Sequence, residues 1–282
     1  MNEVQINKVE VKPKGIVLKD YVKRAALESD YSTVYTDNTL VVVDGVVRVI
    51  YLDLATFGFD PNAIIGALKQ IKYETNERTN GLKTTSRIFG FAPRVTMRKD
   101  FCSASRLATE APKQHAIIAD YAKRVSEIYR SIDADVYDKH LELASKVLGD
   151  WRIEDTPFTS GIINKNNPLK YHFDTGNFED VYSCMLGFKK DIHGGYLACP
   201  DYDCAFEIKN NSLLIFDGQN ILHGVTPFRE LSTDAYRYTI VYYSLKGMWS
   251  CLPLDEEIIR IRNVKSAREF KRAEADAFKD IR

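Results

Sequence analysis

Residues 158–245 read FTSGIINKNNPLKYHFDTGNFEDVYSCMLGFKKDIHGGYLACPDYDCAFEIKNNSLLIFDGQNILHGVTPFRELSTDAYRYTIVYYSL. Short apolar runs recur in it between turn-forming residues: FTSGIIN (158–164), YSCMLGF (182–188), GGYLACP (194–200), CAFEIKN (204–210), SLLIFDG (212–218) and RYTIVYYSL (237–245). Short strands at regular spacing, bounded by Gly, Pro, Asn and Asp, signal a β-sandwich or barrel. The stretch predicts a double-stranded β-helix, or jelly roll. Helices on either side of it make the fold class α+β.

Upstream, residues 1–52 read as β structure with a short helical piece near YVKRAALES (21–29). LVVVDGVVRVIYL (40–52) is a hairpin, because Asp44-Gly45 suits a type I′ turn between Val-rich strands. A helix is predicted from Asp60, with Asp60 as N-cap, Pro61 at the first helical position, and Ile64, Ile65, Leu68 and Ile71 as its buried stripe. ETNERTNGLKTTSR (74–87) reads as a polar loop. Helices follow at about 112–131 and 136–149, with Ile117, Tyr121, Val125 and Ile128 at helical spacing. Downstream, Pro253 closes the sheet region, and residues 254–282 form a charged helix expected to be a solvated face rather than a binding element. One domain is expected: 1–150 as a β and helical support region, 151–252 as the jelly-roll catalytic core, and 253–282 as the charged helix.

The 282 residues are enough for one large core or two small ones, and 39 basic residues balance 39 acidic ones. A chain of zero formal charge has no global field to draw it to nucleic acid, so any such contact must come from a local patch. No apolar run is long enough to span a membrane, and MNEVQINKVE lacks a signal-peptide core. The five cysteines are scattered (102, 184, 199, 204, 251) and form no disulfide framework. An intracellular, reducing compartment is expected, cytoplasmic or, in a eukaryote, nuclear. A monomer is expected. Cys199 and Cys204 resemble one half of a zinc clip, but no second clip exists.

The chemistry-bearing residues lie in the same β-rich stretch: His172 and Asp174 in YHFDTGN, His223 in LHGVTPF, and Arg237 in RYTIVYYS. Residues i and i+2 of an extended segment project to one side, so His172 and Asp174 can share a metal while Phe173 turns away. A rolled sheet can bring His223 to them from a distant strand. Two histidines and a carboxylate hold non-haem Fe(II) on one face and leave positions open for a co-substrate and O2. Arg237, fourteen positions after His223, stands where such sites clamp the distal carboxylate of 2-oxoglutarate. His193 falls too soon after Asp174 to be the distal ligand and is expected in a turn. His115 and His140 are expected as surface or packing residues on helices.

A basic segment, GLKTTSRIFGFAPRVTMRKDFCSASR (81–106), carries Lys83, Arg87, Arg94, Arg98, Lys99 and Arg106 against Asp100 alone. Basic residues interleaved with Phe89, Phe91 and Phe101 suit a surface that grips phosphates, which makes Arg87, Arg94 and Arg98 candidates for nucleic-acid contact. One of them could instead reach 2-oxoglutarate.

Taken together, IDADVYDKH (132–140), PFTSGIINKNNPLKYHFDTGN (157–177), GGYL (194–197), LIFDGQNILHGVTPF (214–228) and RYTIVYYS (237–244) resemble the TET/JBP group of 2-oxoglutarate- and Fe(II)-dependent dioxygenases. RIFGFAPR (87–94) resembles the group's Arg-rich segment more loosely. The resemblance covers a little under half of the chain. It implies oxidation of the 5-methyl group of a pyrimidine in DNA, 5-methylcytosine as in TET or thymine as in JBP, with Fe(II), 2-oxoglutarate and O2 as cofactors. It also implies three roles. Asn177, five after His172, would hydrogen-bond the flipped base; Tyr243, six after Arg237, would stack on it; Thr239, two after Arg237, would help hold the 2-oxoglutarate carboxylate. The chain departs from TET proteins at Leu245, where they carry a base-contacting histidine, and lacks their cysteine-rich zinc region. A compact microbial, phage or fungal type of member fits best.

A methyl group inside duplex DNA cannot reach a buried iron, so the base must be flipped out. The alternative is a hydroxylase of a protein side chain or a small metabolite, which the same iron site serves equally well.

Overall fold

The computed structural model describes residues 4–77, 83–95 and 99–279. Its main sheet has ten strands among the described residues. In spatial order the first nine are Asn7–Glu10, Thr39–Val43, Val46–Asp53, Ser212–Phe216, Ser183–Lys190, Tyr236–Tyr243, Ser160–Lys165, Lys83–Ala92 and Glu74–Glu77. Ser103–Ala104 pairs beside Lys83–Ala92. A second sheet runs Thr33–Tyr35, Cys204–Phe206, Leu197–Cys199, His223–Val225 and Leu169–His172. The main sheet contains strands from the stretch before residue 150 and from the stretch after it.

Period-two alternation gives the main sheet two buried faces. Ile50, Leu52, Leu186, Phe188, Leu213, Ile215, Ile240 and Tyr242 pack under the helices Asn62–Gln70 and Pro112–Ile132, against Ile64, Leu68, Ile118 and Val125. The intervening residues Val49, Tyr51, Met185, Leu214 and Phe216 pack against Leu197, Cys199, Phe206 and Val225 of the second sheet. Two sheets face to face with helices outside form the expected α+β jelly roll. Along Tyr236–Tyr243 the even positions serve the helix layer. The odd ones (Arg237, Thr239, Val241 and Tyr243) line a cavity between the sheets.

The hairpin forms as read: Thr39–Val43 and Val46–Asp53 pair, and Asp44 and Gly45 both take positive φ, 51° and 77°. The expected helix forms as Asn62–Gln70, with Pro61 rather than Asp60 as its N-cap, an Asp60 carboxylate oxygen accepting from Asn62 N at 3.0 Å, Ile64 and Leu68 buried, and Ile71 just past its end.

Several expectations are corrected. In the polar segment expected as a loop, residues 74–77 and 83–87 are instead parts of two paired strands, Glu74–Glu77 and Lys83–Ala92, because Ser160–Lys165 offers an open edge; residues 78–82 lie outside the described residues. The early helical piece is a single turn, Leu18–Tyr21, and a 3-10 turn, Glu28–Asp30, with no regular helix between them. The second long helix is Ala134–Ser145, started by the Asp133 side chain accepting from Val136 N. His193 lies in a short strand, Ile192–Gly194, opposite Arg229.

The cysteines are not all free. Cys102 and Cys251, 149 residues apart, form a disulfide. Sequence spacing gives no sign of it, since the contact depends on the turn before the C-terminal helix closing over residues 99–102. The expectation of a reducing compartment loses that premise. Cys199 and Cys204 face each other across two paired strands as buried thiols. No helix among the described residues is long and apolar enough to cross a membrane.

Candidate metal and carboxylate site

Leu169–His172 and His223–Val225 pair antiparallel, with His223 directly opposite His172. Asp174 lies just beyond the strand end, where its backbone N–H donates to Gly218 O at 2.8 Å. Gly218 must be glycine for this approach, because a Cβ there would stand 2.4 Å from Asp174 Oδ2. One ligand atom each from His172, Asp174 and His223 lie within 4.8 Å of one another. The sheet brings together what the sequence separates by about fifty residues.

The proton positions suit a metal. His172 Nδ1 lies 2.8 Å from Lys170 O, and His223 Nδ1 lies 2.8 Å from Ile221 O. A carbonyl can only accept, so each Nδ1 carries the proton and each Nε2 lone pair faces the cluster. Burial pushes His223 down to about 4, with His172 adding to it, so the ring is neutral, the form that ligates. Burial works to raise the Asp174 carboxyl. The neighbouring histidines outweigh it, and the group lies below its ordinary value. Phe216 packs edge-on to His223 at 5.0 Å between ring centroids and fixes its tilt.

All three line a cavity of about 270 Å3, and Arg237 closes another part of its wall. Arg237 is 1% exposed, and its Nε and Nη2 have no hydrogen-bond partner among the described residues. Burial lowers its pKa to about 10, so the guanidinium is still charged at neutral pH. A buried charge with no protein partner is costly, and a bound carboxylate would supply the missing acceptors. The donor set, two imidazoles and one carboxylate, fits a borderline divalent transition metal such as iron, and the orphaned guanidinium fits a carboxylate beside it.

A chain of amides sets the polarity next to Arg237. Asn167 Oδ1 accepts from Thr85 N at 2.7 Å, and Asn167 Nδ2 donates to Thr85 O at 2.9 Å. Backbone groups cannot exchange roles, so this amide is held one way round. Its Nδ2 also donates to Asn164 Oδ1 at 3.2 Å, which turns Asn164 Nδ2 toward Thr239 Oγ1 at 3.4 Å. Thr239 thus accepts from the protein, and its own proton can point into the cavity. Asn166 Oδ1 accepts from Arg237 N at 2.7 Å and steadies the strand. The sequence reading passed over Asn164, Asn166 and Asn167. The signal was NKNN (164–167), an amide-rich run inside an otherwise apolar strand pattern.

Asn177 and Tyr243 line the same cavity, as does Leu245. Asn177 is buried, donates from Nδ2 to Ser183 Oγ at 3.2 Å, and bridges to Leu245 through the backbone. Tyr243 is held protonated by burial and by the nearby Asp174 charge, so its hydroxyl stays a neutral donor.

The basic segment behaves differently. Arg87 is buried in its strand, with Nη1 on Glu74 Oε1 at 2.5 Å and Nη2 on Glu110. Arg94 binds Glu257, and Arg106 binds Glu74 and Glu110. Neither Arg87 nor Arg94 lines the cavity, and Arg98 lies outside the described residues. His115 Nε2 accepts from Gly90 N at 3.1 Å, and His140 is buried against Ser244 Oγ at 2.9 Å, so both are packing residues as read.

A family model, Tet_JBP, described as the oxygenase domain of the 2OGFeDO superfamily, matches residues 92–246, a little over half of the chain. Thymine dioxygenase JBP1 of Leishmania infantum is 30% identical over 129 residues, 45% of this chain and 15% of that protein. Thymine dioxygenase JBP1 of Crithidia fasciculata is 32% identical over 101 residues, 36% of this chain and 12% of that protein. The chain therefore matches only a small part of the length of these curated relatives. Among solved structures, NgTET1 in complex with 5mC DNA superposes with a TM-score of 0.55 at 14% identity, covering 78% of this chain and 84% of that one. That likeness shows a shared fold.

Proposed function

The chain belongs to the Tet_JBP family of oxygenase domains in the 2OGFeDO superfamily, and from that premise we propose that it is an Fe(II)- and 2-oxoglutarate-dependent dioxygenase acting on the 5-methyl group of a pyrimidine in DNA. The observation that carries the reading is Arg237, a buried guanidinium with orphaned donors in the same cavity as the His172, Asp174 and His223 cluster. A metal site alone would not ask for a second ligand; the unpaired arginine does.

In this reading His172, Asp174 and His223 hold the metal, and Arg237 and Thr239 take the far carboxylate of 2-oxoglutarate. When bound with O2, the metal and co-substrate supply the oxidising chemistry, in which 2-oxoglutarate leaves as succinate and CO2 while a C–H bond becomes C–OH. The protein supplies position and exclusion of water. The apolar wall of Ile162, Met185, Phe216 and Val241 keeps the cavity dry around those charges. Asn177 offers a carbonyl oxygen and an amide to a base edge, and Tyr243 offers a ring face, worth about 1–3 kcal/mol per stacked base. The relatives named thymine dioxygenase support a pyrimidine base of DNA as the occupant.

The test is mass spectrometry of nucleosides after incubating 5-methylcytosine DNA and thymine DNA with the protein, Fe(II), ascorbate and 2-oxoglutarate. A 5-hydroxymethyl product from either is expected. Decarboxylation of 2-oxoglutarate that DNA never stimulates, with no such product, would overturn the DNA reading and point to a protein or metabolite substrate.

A further inference from the structure

Among the described residues, the helix Leu254–Lys279 is held to the body at its base. Glu257 is fully buried and accepts from Arg94 Nε at 3.1 Å, Cys102 N at 3.2 Å and Leu252 N at 3.1 Å. Arg260 reaches Asp100 O and Oδ1 at 2.9 and 2.8 Å. From Lys265 to Ala273 every residue is exposed, so the helix runs on past the body.

At about 100° per residue, Glu257, Arg260, Ile261 and Val264 mark the docked direction. Continued outward, the same side carries Lys265, Arg268, Lys271 and Arg272, all within an arc of roughly 120°. These four form no ion pair among the described residues, and Glu269 is the acidic residue among them. Helical geometry thus places them on the side of the helix that, at its base, meets the body. Lys99 adds to them from the body. Burial and the Lys265 charge both hold the Lys99 ammonium below its ordinary value, so two like charges oppose each other across the seam. An anion between them would relieve that repulsion.

The base of the helix is close to the cavity. Leu245 lines the cavity wall, Gly247 lies against the Pro93 ring, and the next residue, Arg94, binds Glu257. We propose that the overhanging half of this helix, with Lys99, is a docking face for the DNA sugar–phosphate backbone flanking the substrate base. The inference rests on the DNA reading above. It also relocates the contact expected of residues 81–106, whose described arginines are already engaged by carboxylates. A polyanion suits four cations spread over about 10 Å of helix better than a single small anion does. An anionic membrane suits them less, because the side bearing Ile259 and Phe270 is interrupted by Asn263 and Ser266.

The test measures binding of a 20-base-pair duplex carrying 5-methylcytosine across a range of salt concentrations. It compares the wild-type chain, a variant combining K265Q, R268Q, K271Q and R272Q, and Glu269→Gln. For the fourfold variant, the slope of log affinity against log salt should fall by about 3–4, with at least a tenfold loss of affinity near 0.1 M salt. Glu269→Gln should tighten binding a few-fold, a gain that misfolding cannot imitate. A fourfold variant with the wild-type slope overturns the proposal, as does a wild-type chain that binds phosphatidylserine vesicles and not DNA. DNA bound through these residues without a 5-hydroxymethyl product would leave the docking face standing and sink only the substrate reading.

Discussion

Two strands flank Ser160–Lys165 in the main sheet, and each buries an arginine. Arg87, in Lys83–Ala92, meets two carboxylates; Arg237, in Tyr236–Tyr243, meets none. The chain could have neutralised both and neutralised one. A compensated buried cation is architecture, while an uncompensated one facing a cavity is suited to binding an anion. Arg87 is thus structural despite its charge, and the function lies on the far side of Ser160–Lys165.

The largest effect expected from the cavity side is loss of the metal. His172→Ala, Asp174→Ala and His223→Ala should each reduce turnover by at least about a thousandfold while far-ultraviolet circular dichroism stays native, since the sheet does not need these side chains for its core. Undiminished 2-oxoglutarate consumption in any of them would detach the chemistry from this cluster.

Next comes the clamp. Arg237→Lys replaces a planar fork by a point charge and should weaken 2-oxoglutarate about ten- to a hundredfold, corresponding to about 1.5–3 kcal/mol, as read from the co-substrate dependence of decarboxylation. A similar loss from Arg87→Lys would erase the distinction between the two strands.

A smaller effect sharpens the contrast by its sign. Arg237→Met should raise the melting temperature while abolishing turnover, because it removes a buried charge that only a ligand satisfies. Arg87→Met should lower the melting temperature by roughly 2–5 °C, since it removes the buried cation at the centre of the Glu74–Glu110 pair and leaves both to Arg106 alone. Calorimetry of the two variants side by side decides it; a shift of the same sign in both would break the comparison. Smallest is Asn167→Leu, which frees the Asn164 amide to flip. A loss of about two- to fivefold in 2-oxoglutarate affinity is expected, about the worth of one neutral hydrogen bond. Equal loss of stability and no loss of affinity would make the amide chain merely structural.

Legibility followed the range of the interactions. The hairpin at Asp44-Gly45, the helix after Asp60 and the alternation in RYTIVYYS could be read because each is fixed by neighbours in sequence. The ligand set was legible because its residue types are rare and chemically specific. The pairing state of Arg87 and Arg94 was not, because Glu74, Glu110 and Glu257 reach them through the fold, and a count of charges within one segment is blind to carboxylates outside it. ETNERTNGLKTTSR looked like a loop because its polar residues lack the hydrophobic alternation of a half-buried strand. Edge pairing on Ser160–Lys165 overrode that pattern. Asn164 and Asn167 were passed over for a related reason: buried amides carry no periodic signal, only partners.

The disulfide between Cys102 and Cys251 has a meaning beyond the contact it makes. Every residue lining the cavity lies between its two cysteines in the chain. Tying the ends of a loop of 149 residues restricts the unfolded ensemble, by roughly 5 kcal/mol on a chain-entropy estimate. The strands Thr39–Val43 and Val46–Asp53 lie outside that loop and join the sheet through Ser212–Phe216, so the closure reaches them through the shared sheet. Persistence of the cavity, and of the hairpin that shares its sheet, is therefore linked to the thiol–disulfide poise of the surroundings.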